Sequence, residues 1–203
     1  QINSAADTWH EELKAQLQEG EVLVRVQTMN LDNDENDEHL VIVTTTLVAP
    51  LENYTSTIKV LIFDFVPTES AYQRIGELRT HATDIRTFDL QIQDLTGDHR
   101  LEIIAQGVNS TGERTLNAYR LVPTHRSTTI YSSIASIVTK GTIEVSDRKI
   151  SESYLSHGIN AEPLQITTYT NDPHSANTTD VIRTTYIWKN ENNHYENDTP
   201  EQV

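Results

Sequence analysis

Residues 93–104, QDLTGDHRLEII, place Asp94, Asp98 and Glu102 at steps of four directly ahead of an apolar run. Three carboxylates in so short a loop repel one another unless a counter-charge stands among them. Side chains at i, i+2 and i+4 of a tight loop converge on one point, with backbone carbonyls between them, and a hard divalent cation takes such an oxygen-rich cage. On that reading Asp94, Thr96 and Asp98 form the near side of the cage, and Glu102, already in the strand, closes it from the far side. The expected effect is to fix the start of a strand rather than to perform chemistry. A solvated acidic turn without an ion is the other reading of one such ladder taken alone.

The ladder recurs. NLDNDENDEHLVIV begins at Asn30, 64 positions before Asp94, and supplies Asn30, Asp32, Asp34 and Glu38 at the same offsets. Chance acidic clusters do not keep phase with strands, so the pair points to Ca²⁺ as a structural cofactor of both loops. After each ladder run an apolar strand, a polar loop and a second strand with aromatic residues: TIKVLIFDF, then RTLNAYRL, then VIRTTYIW. A third unit enters through AEPLQITTYT and keeps only Glu162 of the ladder, so no metal site is expected there. About a dozen short runs rich in Val, Ile, Thr and Tyr, separated by polar turns, predict an all-β antiparallel chain. Ahead of them Trp9, Leu13 and Leu17 fall at i, i+4 and i+8, with Ser4 or Asp7 as cap and Gly20 as stop, which predicts one helix over residues 5–19. The expected organisation is a helical segment over 1–20, a β-repeat domain over 21–188 and a polar tail over 189–203 that reads as a frayed end or a linker to a further segment. The repeat domain is expected to hold three diverged four-stranded units in an open or incomplete propeller-like arc, the last cut short after its second strand.

These loops resemble the FG-GAP or VCBS type of β-propeller repeat found in integrin α-chain heads and many bacterial surface proteins. That family places D-x-[DN]-x-D-G-x-x-[DE] ahead of an apolar strand, matched here by DLTGDHRLE and NLDNDENDE. Asn30 stands for the leading Asp and Thr96 for Asp or Asn, while Glu35 and His99 stand where the family prefers Gly. The resemblance implies Ca²⁺ at both loops. It also implies work at a bacterial cell envelope, periplasmic or surface, where millimolar Ca²⁺ fills weak loops. The chain begins at Gln1 rather than Met, so an export signal or lipid anchor ahead of it is expected.

Composition narrows the partners. With 15 basic and 30 acidic residues the net charge is −15, which repels nucleic-acid backbones and anionic lipid. No run approaches the eighteen or so apolar residues that span a bilayer, so no direct membrane insertion is expected. Cysteine is absent, which removes disulfides and thiolate metal sites. The eight histidines show no H-E-x-x-H spacing, and the seven glycines build neither a G-x-S-x-G elbow nor a phosphate loop. His10 reads as a solvated helix residue, most of the aromatics read as strand packing, and Asp64 reads as the solvent-facing position between Phe63 and Phe65. A serine triad assembled from distant strands has a low prior in such a meander. The expected function is a non-catalytic, calcium-stabilised binding, adhesion or scaffolding module that meets a protein or glycan surface. An accessory β-domain of a larger enzyme, such as a hydrolase, is the alternative.

Overall fold

The computed structural model describes residues 6–31, 34–46, 56–122, 130–146, 163–175, 177 and 179–198, so Asp32 and Glu162 lie outside the described residues. Among the described residues helix α1 (Ala6–Ala15) comes first, and twelve strands follow in three four-stranded antiparallel sheets. The first sheet holds β1 (Glu21–Met29), β2 (Glu38–Thr46), β3 (Ser56–Val66) and β4 (Ala71–Arg79). The second holds β5 (Asp89–Gln93), β6 (Glu102–Val108), β7 (Arg114–Val122) and β8 (Ile130–Thr139). The third holds β9 (Thr142–Ser146), β10 (Gln165–Asn171), β11 (Val181–Lys189) and β12 (His194–Asn197). Each sheet is a meander with its strands in chain order.

The middle strands are covered on both faces, and this is why β2 and β3 read as nearly continuous apolar runs. Alternation then sorts their side chains into two cores. Leu40, Ile42, Ile58, Val60 and Ile62 meet Leu90, Ile103 and Tyr119 of the second sheet and Phe88 just ahead of it. Val41, Val43, Leu61 and Phe63 point the other way and are covered by Leu13 of α1. The opposite face of the second sheet, with Ile104, Leu116, Ala118 and Ile134, meets Ile166, Trp188 and Tyr195 of the third. No hydrophobic cluster among the described residues joins the first sheet to the third, so the three sheets form an open, propeller-like row.

The helix is pinned to the first sheet by polar bonds as well. Gln16 donates to the Tyr72 carbonyl at 2.7 Å and accepts the Arg74 N–H at 3.1 Å. Behind it Glu21 receives both terminal nitrogens of Arg74, at 3.0 and 3.1 Å, in a part-buried bidentate pair. Helix α1 is shorter than the predicted span, and Gly20 turns the chain into β1 with φ 85°, a conformation glycine adopts without strain.

The third unit is complete, which corrects the expectation that it stops after its second strand. Its fourth strand, β12, comes from the segment expected to be a frayed tail. HYEN carries one large apolar side chain, Tyr195, and strand pairing to β11 rather than hydropathy holds it in place. Asp64 is a second correction. It is only half-exposed, with one carboxylate oxygen buried, because alternation along β3 places it with Ile62 on the side facing the second sheet.

Candidate functional site

The second acidic loop, residues 94–101, is built almost entirely from carboxylate–amide bonds. Asp94 Oδ1 accepts the Gly97 N–H at 2.7 Å and the Asp98 N–H at 3.2 Å, and Oδ2 accepts the His99 N–H at 2.8 Å. Wrapping three successive amides around one carboxylate takes two left-handed residues, Gly97 at φ 74° and His99 at φ 66°. The second costs about 1–2 kcal/mol for a residue with a Cβ, which explains why a glycine is favoured at that place. Asp98 Oδ1 accepts the Thr96 hydroxyl at 3.1 Å and the Arg100 N–H at 3.2 Å. Glu102 is 0% exposed and accepts the Leu95 N–H at 2.7 Å, the Thr96 N–H at 3.2 Å and a share of the Thr96 hydroxyl at 3.2 Å.

A cation does stand among these carboxylates. Arg120 lies on β7 directly opposite Glu102, pairs with Asp98, and brings Nε to 3.7 Å from Glu102 Oε1. Its guanidinium sits 5.6 Å over the ring of Trp188 in the third sheet, within cation–π range. The loop backbone is tied to that sheet too, since the Leu95 carbonyl accepts the Tyr195 hydroxyl at 2.6 Å and the Leu164 N–H at 2.9 Å.

The first loop repeats the central bond. Leu31 donates its N–H to Glu38 Oε2 at 2.5 Å, as Leu95 does to Glu102, with both partners displaced by the 64-residue period. Leu31 and Leu95 are both buried, each in the core between its own sheet and the next. Asn30 donates to the Asp34 carbonyl at 2.7 Å, and Asp34 Oδ1 accepts the Asn36 N–H at 2.6 Å. Next to Glu38, His39 hydrogen-bonds Thr28 at 2.9 Å, and burial pushes its imidazole down against the upward pull of Asp37. The pairing of β2 with β3 begins at His39–Phe63, one residue after Glu38, whereas Glu102 is itself paired with Arg120 on β7.

The eight residues expected to ligate therefore separate into two groups. Asp94, Thr96, Asp98 and Glu102 are brought together, but their oxygens are turned onto backbone amides and Arg120. Asn30, Asp34 and Glu38 share the first loop, with Asp32 outside the described residues. Among the described residues no three carboxylate or imidazole side chains converge as a metal-binding group. Sequence reasoning missed Arg120, which only the cross-strand register reveals.

Burial pushes the Glu102 carboxyl up to about 7, against the amide and hydroxyl bonds from Leu95 and Thr96 and with a further rise from the charge of Asp94. A carboxyl whose folded value lies above its ordinary 4.5 takes up a proton on folding. Its contribution to stability is complete below pH 4.5 and is lost as the pH climbs to about 7. Glu102→Gln mimics the protonated form, so the variant is expected to gain on the parent chain by on the order of 2–3 kcal/mol between pH 5 and 8. Paired thermal melts across that range measure the gain, and a difference that does not change with pH would contradict the burial effect.

A serine–histidine contact lies among the described residues. His81 Nε2 lies 2.9 Å from Ser136 Oγ, while Asn117 accepts the His81 N–H at 3.0 Å and donates to Ser136 Oγ at 3.4 Å. Both His81 and Ser136 are exposed, and the buried Asn117 between them holds the hydroxyl in place. The arrangement fastens the end of β4 to β8. An open cleft of about 440 Å³ lies beside the second loop, lined by Arg100, Arg120, Ser132, Ile134 and Asn193 among others.

Fold and loops together define an all-β protein of three four-stranded antiparallel sheets in an open row, with buried glutamates at the starts of two strands. No protein-family model matches the chain, and no curated protein or solved structure is significantly similar to it. Among the described residues no helix is long and apolar enough to cross a membrane.

Proposed function

We propose that this chain is a non-catalytic binding or scaffolding module of FG-GAP-like type, which presents the loop edge of its sheets to a protein or glycan surface at a bacterial cell envelope. The observation that carries the reading is the repeated Leu–Glu bond at the two loops. Both glutamates work as fasteners at strand starts, and the acidic ladders shape a surface rather than a reaction centre. The net charge of −15 favours basic partner surfaces over nucleic acid or anionic lipid.

Ca²⁺ belongs to the proposal at the first loop, where Asn30, Asp32, Asp34 and Glu38 offer oxygen donors. The second loop does not fit a resident ion, because its carboxylates are already satisfied. A first-loop site filled to about a hundred times its Kd raises stability by roughly 2.7 kcal/mol. Thermal scans in calcium and in chelator are expected to separate, and Asp34→Ala to bring them together. Coincident scans of the parent chain would remove the ion from the proposal. The partner is tested by immobilising the chain and assaying basic and acidic proteins, glycans, DNA and anionic vesicles across a salt series. Tight binding to DNA or anionic vesicles would overturn the surface-recognition reading.

A further inference from the structure

We infer that Arg120 takes the place of a divalent ion in the second acidic loop, which makes that loop a cation-independent clasp between the second and third sheets. All six oxygens of Asp94, Asp98 and Glu102 already have partners, in the loop backbone, in Thr96 or in Arg120. An entering ion would have to break several of these bonds and accept a like charge within contact distance. A planar guanidinium does the work of the ion differently. It offers five donors in a fixed fork, cannot shed its charge near neutral pH, and stacks on an aromatic face. Arg120 uses each of these properties, on Asp98, beside Glu102 and over Trp188. An ion in a loop ties only that loop to its strand. The arginine reaches a different sheet, and it does so next to the Tyr195–Leu95 bond.

The inference stands apart from the first-loop proposal, and its test reads the second loop alone. Trp9→Phe leaves Trp188, the other of the two tryptophans, as the only indole. In that background the emission of Trp188 is followed as Ca²⁺ rises to about 10 mM, an upper range for weak loops. With Arg120 present the emission is expected not to change. Arg120→Ser is expected to lower the melting temperature by about 5–10 °C. Calcium should restore part of that loss, and emission should saturate at about 0.1–1 mM. Arg120→Lys, which keeps the charge, is expected to stay silent to calcium. A saturable Trp188 response in the Arg120 chain that Asp98→Ala abolishes would overturn the inference. So would an Arg120→Ser chain that is as stable as its parent and silent to calcium. Should Arg120→Ser fail to fold, the Arg120 chain decides alone, silence supporting the inference and a response overturning it. First-loop binding is read separately, by the Asp34→Ala melts, so either idea can fail without the other.

Discussion

Removing residues 190–203 is expected to unfold the third sheet while leaving the first two folded. The cut deletes β12 and with it Tyr195, which is buried and packs 5.6 Å from the Trp188 ring. Loss of a large buried aromatic costs about 3–5 kcal/mol by itself. The Tyr195 hydroxyl also donates to the Leu95 carbonyl at 2.6 Å and the Leu164 carbonyl at 3.0 Å. The cut removes that shared donor, although the Leu95 carbonyl keeps the Leu164 N–H, and each bond lost adds on the order of 0.5–1.5 kcal/mol. Strand β11 would lose its pairing from Tyr186 to Lys189 and become a new edge. The Asn190 side chain that receives the Trp188 indole N–H at 2.6 Å goes as well. Against a total stability of about 5–15 kcal/mol these losses are decisive for one sheet. The first sheet has its own core under α1 and a second core shared with β5 and β6, neither of which uses β12. Amide exchange is expected to show β9–β11 open and β2, β3, β6 and β7 protected. Uniform protection at the parent level would mean that β12 is dispensable.

What the sequence shows and hides about this chain follows from range. Strand content is legible because β-branched alternation is local, and the repeat is legible because Leu31–Glu38 and Leu95–Glu102 are seven-residue bonds that recur at one period. Strand β12 is not legible, since three of the four residues in HYEN are polar and the fourth is held by carbonyls 31 and 100 residues away. Arg120 is hidden for the same reason. It matters only because strand register sets it opposite Glu102, a pairing that the ladder itself does not encode. Asp64 shows the cost of reasoning from alternation alone. It does lie opposite in sense to Phe63, but the face it takes is the one packed on the second sheet rather than the one in water.

Phe63→Ala is expected to destabilise the chain by about 3–5 kcal/mol and to release α1. Phe63 is 0% exposed and lies with Val41, Val43 and Leu61 on the outer face of the first sheet, the face covered by Leu13. A helix of ten residues has almost no stability of its own in water. Its docking therefore depends on this apolar contact and on the Gln16 bonds to Tyr72 and Arg74. Truncating the largest side chain under the helix leaves a cavity that the rigid sheet cannot close, so the loss falls on both the core and the helix contact. For a chain of this length the melting temperature is expected to drop by roughly 10 °C. Exchange in residues 6–15 should rise more than in β6 or β7, which distinguishes undocking from general loosening. Val24→Ala is the control, because Val24 is 45% exposed on edge strand β1 and its truncation should shift melting by less than about 2 °C. If Phe63→Ala and Val24→Ala melted alike, the helix could not be the cover that closes this end of the row, and the outer face of the first sheet would have to be shielded in another way.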